Sequence, residues 1–356
     1  MGIKIIIAAF FLCALGAVAG ESIAPSVVTQ DFRCWHNIPY GPRGNLPDEG
    51  AGFKGRIGNW KVPGTKWRMA THKTGQFLDI YAPTNGARAS STVVLFLHGG
   101  SWSQPFDKDA IPAALVDELL ARGAVVASAG YIMQTDNTIN VPEDGVTKAR
   151  EGATFDAMLR DIDAAASKLK KVLPLVGVDE ARLVMAGESA GAHLALLYSY
   201  DQGAPERLGL GLKHEFTVSK VVSIVGPTDL VAIDGAKGRP TESYAHTDLK
   251  YRFRILIKRL VGLPDDGSDA ELEVRAKRWS PVGIVSERSV PTVLAYGQIM
   301  PFVKTDGVVP LDQMTILQEA LGKAGVPCEA KSFMGSNHIH VAGDGAEWIA
   351  EKALAE

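Results

Sequence analysis

The chain predicts an α/β fold in which one mostly parallel sheet is covered by helices on both faces. Three observations carry that prediction. From about Gly75 onward, short apolar, β-branched runs alternate with longer helical patterns, the rhythm of units that lay strands side by side in parallel. The run Thr92–Leu97 (TVVLFL) is apolar at every position but the first, as a strand covered on both faces must be. The stretch Thr154–Val172 sets Phe155, Met158, Ile162, Ala165, Leu169 and Val172 on one helical face, which needs a neighbouring layer to lie on.

The elements follow in order. Lys4, the apolar run Ile5–Leu15 and the small residues Gly16–Gly20 read as a signal peptide (residues 1–19) cleaved after Ala19, because the run is too short to span a bilayer. The expected location is therefore secreted or periplasmic. Cleavage removes Lys4 and shifts the net charge from −3 to −4, which argues against a nucleic-acid partner and against stable membrane association. Two cysteines remain, Cys34 and Cys328; in an oxidising compartment they can pair, and free buried thiols are the alternative. Residues 20–74 are rich in Gly, Pro and Trp and show no period, so they are expected to wrap the domain or form an irregular edge.

The catalytic domain is expected over 75–356. Strands are predicted at Phe77–Ala82, Thr92–Leu97, Ala124–Ser128, Arg182–Ala186, Val218–Val225, Thr292–Tyr296 and Cys328–Phe333. Helices are predicted at Ala110–Arg122, Thr154–Val172, Ala190–Ser199, Asp312–Ala324 and Gly345–Ala355. Residues 231–280 break the rhythm with charged, loop-like sequence and read as a lid-like insertion. Within it the basic, apolar stretch Leu249–Gly262 suits a helix laid over the sheet edge or a lid, and less well a membrane-surface segment.

Gly-Glu-Ser-Ala-Gly (187–191) joins a predicted strand to a predicted helix. That setting puts the Ser189 hydroxyl on a sharp turn where small residues on either side allow close approach. A serine hydroxyl is a weak nucleophile and needs a base, an orienting acid and an oxyanion hole. The Ala190 N–H at the helix start supplies one part of such a hole. His98-Gly99-Gly100-Ser101-Trp102 follows the buried strand and supplies the other, with Gly100 and Ser101 as donors and Gly99 as the alternative. Trp102 is expected to wall the pocket, and His98 and His193 to brace it.

Chain order puts the base after the last strand, which leaves His338 ahead of His340. The acid expected after strand 292–296 is Asp306; Asp229, after strand 218–225, is the runner-up, with capping of the turn Pro227-Thr228-Asp229 as its simpler role. Two histidines without a third ligand make no case for a metal, and no cofactor is expected.

Together, Leu78–Pro83, His98–Trp102, Gly187–Leu194, Gly226–Leu230, Ser280–Pro291, Asp306–Pro310 and Gly325–Pro327 resemble the esterases of the α/β-hydrolase superfamily near the hormone-sensitive-lipase and bacterial feruloyl-esterase-like groups. The resemblance implies the α/β-hydrolase fold, an eight-stranded mostly parallel sheet, the triad Ser189–Asp306–His338, and hydrolysis of a small-molecule or carbohydrate-linked ester through an acyl-enzyme. Two departures stand out: Gln298–Val303 looks inserted before the acid, and Asn337-His338-Ile339-His340 replaces the commoner Gly-His-Gly. The readings in view are a serine esterase for short-acyl or aryl esters, an arylformamidase or amidase on the same triad, and an inactive relative used as a binding module.

Overall fold

The computed structural model describes residues 22–41, 56–57, 60–61, 76–84, 90–103, 108–134, 153–233 and 247–356. The signal-peptide reading lies outside these residues.

The main sheet is assembled from β1 (Val27–Val28), β2 (Phe32–Pro39), β3 (Phe77–Pro83), β4 (Ser90–Leu97), β5 (Val125–Ala129), β6 (Glu180–Glu188), β7 (Val218–Ile224), β8 (Thr292–Gln298) and β9 (Cys328–Met334). Their spatial order is β1-β2-β3-β5-β4-β6-β7-β8-β9. The first three strands join antiparallel, and every pairing from β5 to β9 is parallel. The sheet thus has nine strands and not the eight that the resemblance implied. Seven strands follow Gly75 and two, β1 and β2, come from the N-terminal segment read as irregular, in which β2 runs along β3 with a shift between Trp35 and Ile38. That interruption, together with buried Cys34 and Trp35 side by side, hides the strand from a search for strict alternation.

Alternation along β4 shows how both faces are used. Val93, Leu95 and Leu97 belong to one buried cluster and Val94 and Phe96 to the other, as a strand with side chains on alternate faces requires. On the first face lie α2 (Phe155–Val172) and α3 (Ala190–Asp201); on the second lie α1 (Ala113–Ala121) and the C-terminal helix Ala346–Leu354. All six apolar positions read on α2 are at most 3% exposed, and each large one stabilises the fold by about 1.5–3 kcal/mol. Thr154 caps that helix, accepting from the Ala157 N–H.

The 231–280 segment is not loop-like where it is described. It forms helices at Thr247–Leu260 and Asp269–Arg278, with Leu256, Leu260, Leu263 and Leu272 buried in the main core. The apolar side of the basic stretch is thus spent on packing. The second helix opens with a capping box from Ser268 and Glu271, a Ser-x-x-Glu signature that sequence reading can find. Among the described residues no helix is long and apolar enough to cross a membrane.

Cys34 and Cys328 are free, so the structure does not bear out their pairing. They sit on β2 and β9, with six strands between them. Seven steps of about 4.8 Å come to roughly 34 Å along the sheet, far beyond disulfide reach.

Candidate active site

β6 runs straight into Ser189, whose φ of 53° and ψ of −118° lie outside the regions an L-residue prefers. That conformation costs on the order of 1–3 kcal/mol and is held by the Ser189 N–H donating to the Ile224 carbonyl (2.8 Å) and the Ser189 carbonyl accepting from the His193 N–H (3.1 Å). The flanking glycines have concrete reasons. A Cβ on Gly191 would lie 2.1 Å from the Leu97 carbonyl oxygen, and one on Gly187 would lie 2.5 Å from the Gly191 carbonyl. The turn is tight because strand and helix backbones are in contact.

Ser189 Oγ lies 2.9 Å from His338 Nε2, and His338 Nδ1 lies 2.8 Å from Asp306 Oδ2. Asp306 is 1% exposed and its other oxygen is occupied: Oδ1 accepts from the N–H groups of Val308 (2.8 Å) and Val309 (2.6 Å). The carboxylate is thereby oriented by its own loop. The Asp306 carbonyl also accepts from the His338 N–H at 2.9 Å, so the two loops clasp each other. Since Oδ2 is an acceptor, the imidazole carries its proton on Nδ1 and turns a free Nε2 lone pair to the hydroxyl.

The segment that looked inserted folds back on itself. Met300 bridges Val303, the Ile299 N–H donates to the Thr305 carbonyl, and the Gln298 amide ties the Met300 and Pro301 carbonyls. The excursion therefore closes at its base and returns Asp306 to the end of β8. The alternatives fall elsewhere. Asp229 Oδ1 accepts from the Val231 and Ala232 N–H groups, the capping role, and His340 is an exposed residue at the start of a short helix.

The glycine loop abuts the elbow: a Cβ on Gly99 would lie 3.2 Å from the Glu188 carbonyl and 3.4 Å from Ser189 Cβ. Gly100, Ser101 and Trp102 all have positive φ (111°, 49° and 57°), which curls the loop beside the hydroxyl. His98 is fully buried and stacks on Tyr131, with Nδ1–H donating to the Gly99 carbonyl (2.8 Å). Burial, opposed by that hydrogen bond, lowers its pKa to about 4, so a neutral imidazole braces the loop. His193 is likewise buried; its Nε2–H donates to the Trp279 carbonyl, and burial lowers its pKa to about 3. Trp102 is 2% exposed and packs edge-on against His193 and Phe155, so its indole supports the loop from within the core. Ala190 begins α3, where first-turn N–H groups have no helical acceptor.

One residue of the site escaped the sequence reading. Glu188, between Gly187 and Ser189, is mostly shielded, and burial raises its pKa to about 7, with His338 pulling it down and Asp306 pushing it up. A charged residue at the variable position of Gly-x-Ser-x-Gly was the available signal. Among the described residues no cluster of three or more His, Cys, Asp or Glu could hold a metal ion.

A parallel sheet carrying a serine on the strand–helix turn at its C-terminal edge, with a histidine and an acid on later loops, defines the α/β-hydrolase class. The BD-FAE family profile matches residues 78–321, and the chain belongs to that family of esterase-type α/β-hydrolases. It is 26% identical over 261 residues to the isoprenylcysteine alpha-carbonyl methylesterase of Arabidopsis thaliana, a match covering 73% of this chain and 53% of the relative. The chain thus spans about half the length of that curated relative. Among solved structures it is similar to a truncated carbohydrate esterase from gut microbiota (TM-score 0.59, 15% identity, 90% of this chain and 96% of that one). Esterase B of Lactobacillus rhamnosis (HN001) is also similar (TM-score 0.58, 18% identity, 92% and 82%). These two likenesses are of fold.

Proposed function

We propose that this chain is a serine carboxylesterase that hydrolyses short-acyl or aryl esters through an acyl-enzyme on Ser189. The observation that carries the reading is the unbroken hydrogen-bonded line Ser189 Oγ, His338 Nε2, His338 Nδ1, Asp306 Oδ2 at 2.9 and 2.8 Å, with Asp306 buried and oriented by two N–H groups.

The chemistry follows from that line. Ser189 Oγ bonds to the ester carbonyl carbon as its proton passes to His338 Nε2, and the carbonyl π pair moves onto oxygen. The Ala190 N–H and the glycine-loop N–H groups of Gly100 and Ser101 receive the oxyanion. Asp306 stabilises the imidazolium, which gives its proton to the leaving alcohol. Water then repeats the sequence on the acyl-enzyme, with His338 taking its proton, and releases the acid. Family membership supports the bond type, and the names of the relatives, a methylesterase and a carbohydrate esterase, point to esters of small alcohols or of sugars. Export by the N-terminal segment belongs to the same proposal, resting on its sequence pattern alone.

The test is turnover of chromogenic acetyl, butyryl and feruloyl esters beside Ser189→Ala. Hydrolysis that the substitution abolishes is the expected result; no turnover above the Ser189→Ala control on any of them refutes the proposal. An N-formyl aryl amide in the same assay separates esterase from formamidase action.

A further inference from the structure

Both departures from the commoner family pattern, Gln298–Val303 before the acid and Asn337–His340 around the base, bring large apolar side chains to the surface. Of the eight such side chains exposed among the described residues, six stand in two short segments beside the triad. Ile299, Met300, Phe302 and Val308 flank Asp306, and Met334 and Ile339 flank His338. Phe302 is 97% exposed, and Ile339, standing where the commoner pattern has glycine, is 73% exposed. Across 298–310 and 334–341, Lys304 is the one exposed side chain with a fixed charge. Apolar residues exposed singly are ordinary on a protein surface, whereas a cluster of them marks a place that meets something apolar.

The backbone joins the two segments into one rim. Gln298 and Met334 pair in register at the ends of β8 and β9, so their side chains share a face of the sheet. The Gln298 amide ties the Met300 and Pro301 carbonyls, which sets that turn beside Met334. The Gly335 N–H donates to the Gln298 carbonyl at 2.7 Å, and the His338 N–H to the Asp306 carbonyl at 2.9 Å. A Cβ on Gly307 would lie 3.2 Å from Ile299 Cδ1, so Ile299 folds back towards Val308. The mechanism says what crosses this rim. The leaving oxygen takes its proton from His338 Nε2, which stands 2.9 Å from Ser189 Oγ, while the oxyanion faces the glycine loop and the start of α3. The alcohol part of the ester therefore leaves on the imidazole side, next to Ile339, and a long one continues over the acid loop.

We propose that this rim is the alcohol subsite, and that the ester it takes carries an apolar alcohol, alkyl or aryl, and not a sugar. The inference rests on the proposed serine mechanism and selects among the esters open to it. Ile339 meets the carbons nearest the leaving oxygen, and Met300 and Phe302 meet the far end of the chain. The acyl group, held at Ser189, lies off the rim. A sugar would instead lay several hydroxyls on a surface with little to hydrogen-bond them.

The experiment uses the whole chain beside Phe302→Ser, Ile339→Ser and the double variant, all at exposed positions. It measures kcat/KM on two series, every ester below its solubility limit: ethyl to octyl acetate, and ethyl acetate to ethyl octanoate. Full burial of a methylene is worth about fourfold, so about twofold is expected on an open rim, and octyl acetate should exceed ethyl acetate by about fiftyfold. The double variant should flatten that series to within about fivefold, while ethyl acetate and the whole acyl series stay as in the native chain. A flat alcohol series in the native chain overturns the proposal, and so does a slope that survives the double variant. Faster turnover of glucose pentaacetate than of octyl acetate overturns it as well. So does a rate that rises only once the ester forms droplets, the sign of a lipid surface on the rim. A native dimer that Phe302→Ser converts to a monomer overturns it too, because a second copy then covers the rim. No turnover in either series refutes the proposed function and this reading with it, whereas turnover with a flat alcohol series overturns the subsite alone.

Discussion

Replacing Asp306 by Asn separates what the acid does for the imidazole from what it does for its loop. In the native site Oδ1 accepts from the Val308 and Val309 N–H groups and Oδ2 faces His338 Nδ1. Asn can keep the first set by placing its carbonyl there, which aims its amino group at Nδ1. His338 must then accept on Nδ1 and carry its proton on Nε2, leaving no lone pair for the Ser189 hydroxyl. A wrong tautomer in such a site lowers the rate by about 10⁴, or about 5.5 kcal/mol of barrier. The flipped amide would restore the tautomer but unpair both N–H groups, at about 1–3 kcal/mol each, so flipping offers little escape. The assay is kcat/KM on a chromogenic ester with a thermal melt of the same sample. Asp306→Asn should lose about four orders of magnitude while melting close to the native chain, whereas Asp306→Ala should lose activity and melt lower. Activity within tenfold of native in Asp306→Asn would refute the argument that Asp306 sets the tautomer.

Gly191→Ala should melt well below the native chain, by at least the 1–3 kcal/mol of ordinary overpacking, because its methyl meets the Leu97 and His98 carbonyls at 2.1 and 2.4 Å; a native-like melting temperature in calorimetry would contradict the close strand–helix contact. For Glu188 the sign follows from a raised pKa: the ionised form is disfavoured by folding, so the penalty is absent below 4.5, grows towards 7 and is complete above it. Glu188→Gln should therefore raise the melting temperature at pH 8 and leave it unchanged at pH 4, the gain being at most on the order of 2–3 kcal/mol and smaller to the extent that water reaches the carboxylate. The two thiols should react slowly in the native protein, since Cys34 is buried and burial pushes the Cys328 thiol up to about 11. Both should titrate after unfolding, and a mass two daltons below the fully reduced chain would show instead that they had paired.

The strands and helices after Gly75 were legible because their burial patterns are regular. Each predicted strand overlaps an observed one within about two residues, and α2 buries every apolar position assigned to it. What escaped has physical causes. β2 carries a register shift beside two adjacent buried residues, which breaks a period of two. The helix at Asp269–Arg278 buries only Leu272 and Ala276, too few for a pronounced stripe. Glu188 escaped because the motif leaves its position free, so that its charge there was passed over, and its burial is decided by residues distant in the chain.

For the site itself, local sequence was enough to place Ser189, since the elbow is made by residues adjacent in the chain and its glycines are demanded by contacts within one strand–turn–helix unit. The same holds for the glycine loop, which leaves a strand that can only be buried. His338 stands 32 residues from Asp306 and 149 from Ser189. Chain order ranks His338 ahead of His340 and Asp306 ahead of Asp229, but no local pattern fixes either choice. The parallel sheet decided those choices by bringing the ends of β6, β8 and β9 to one edge, where two backbone N–H groups and one imidazole are enough to select the acid.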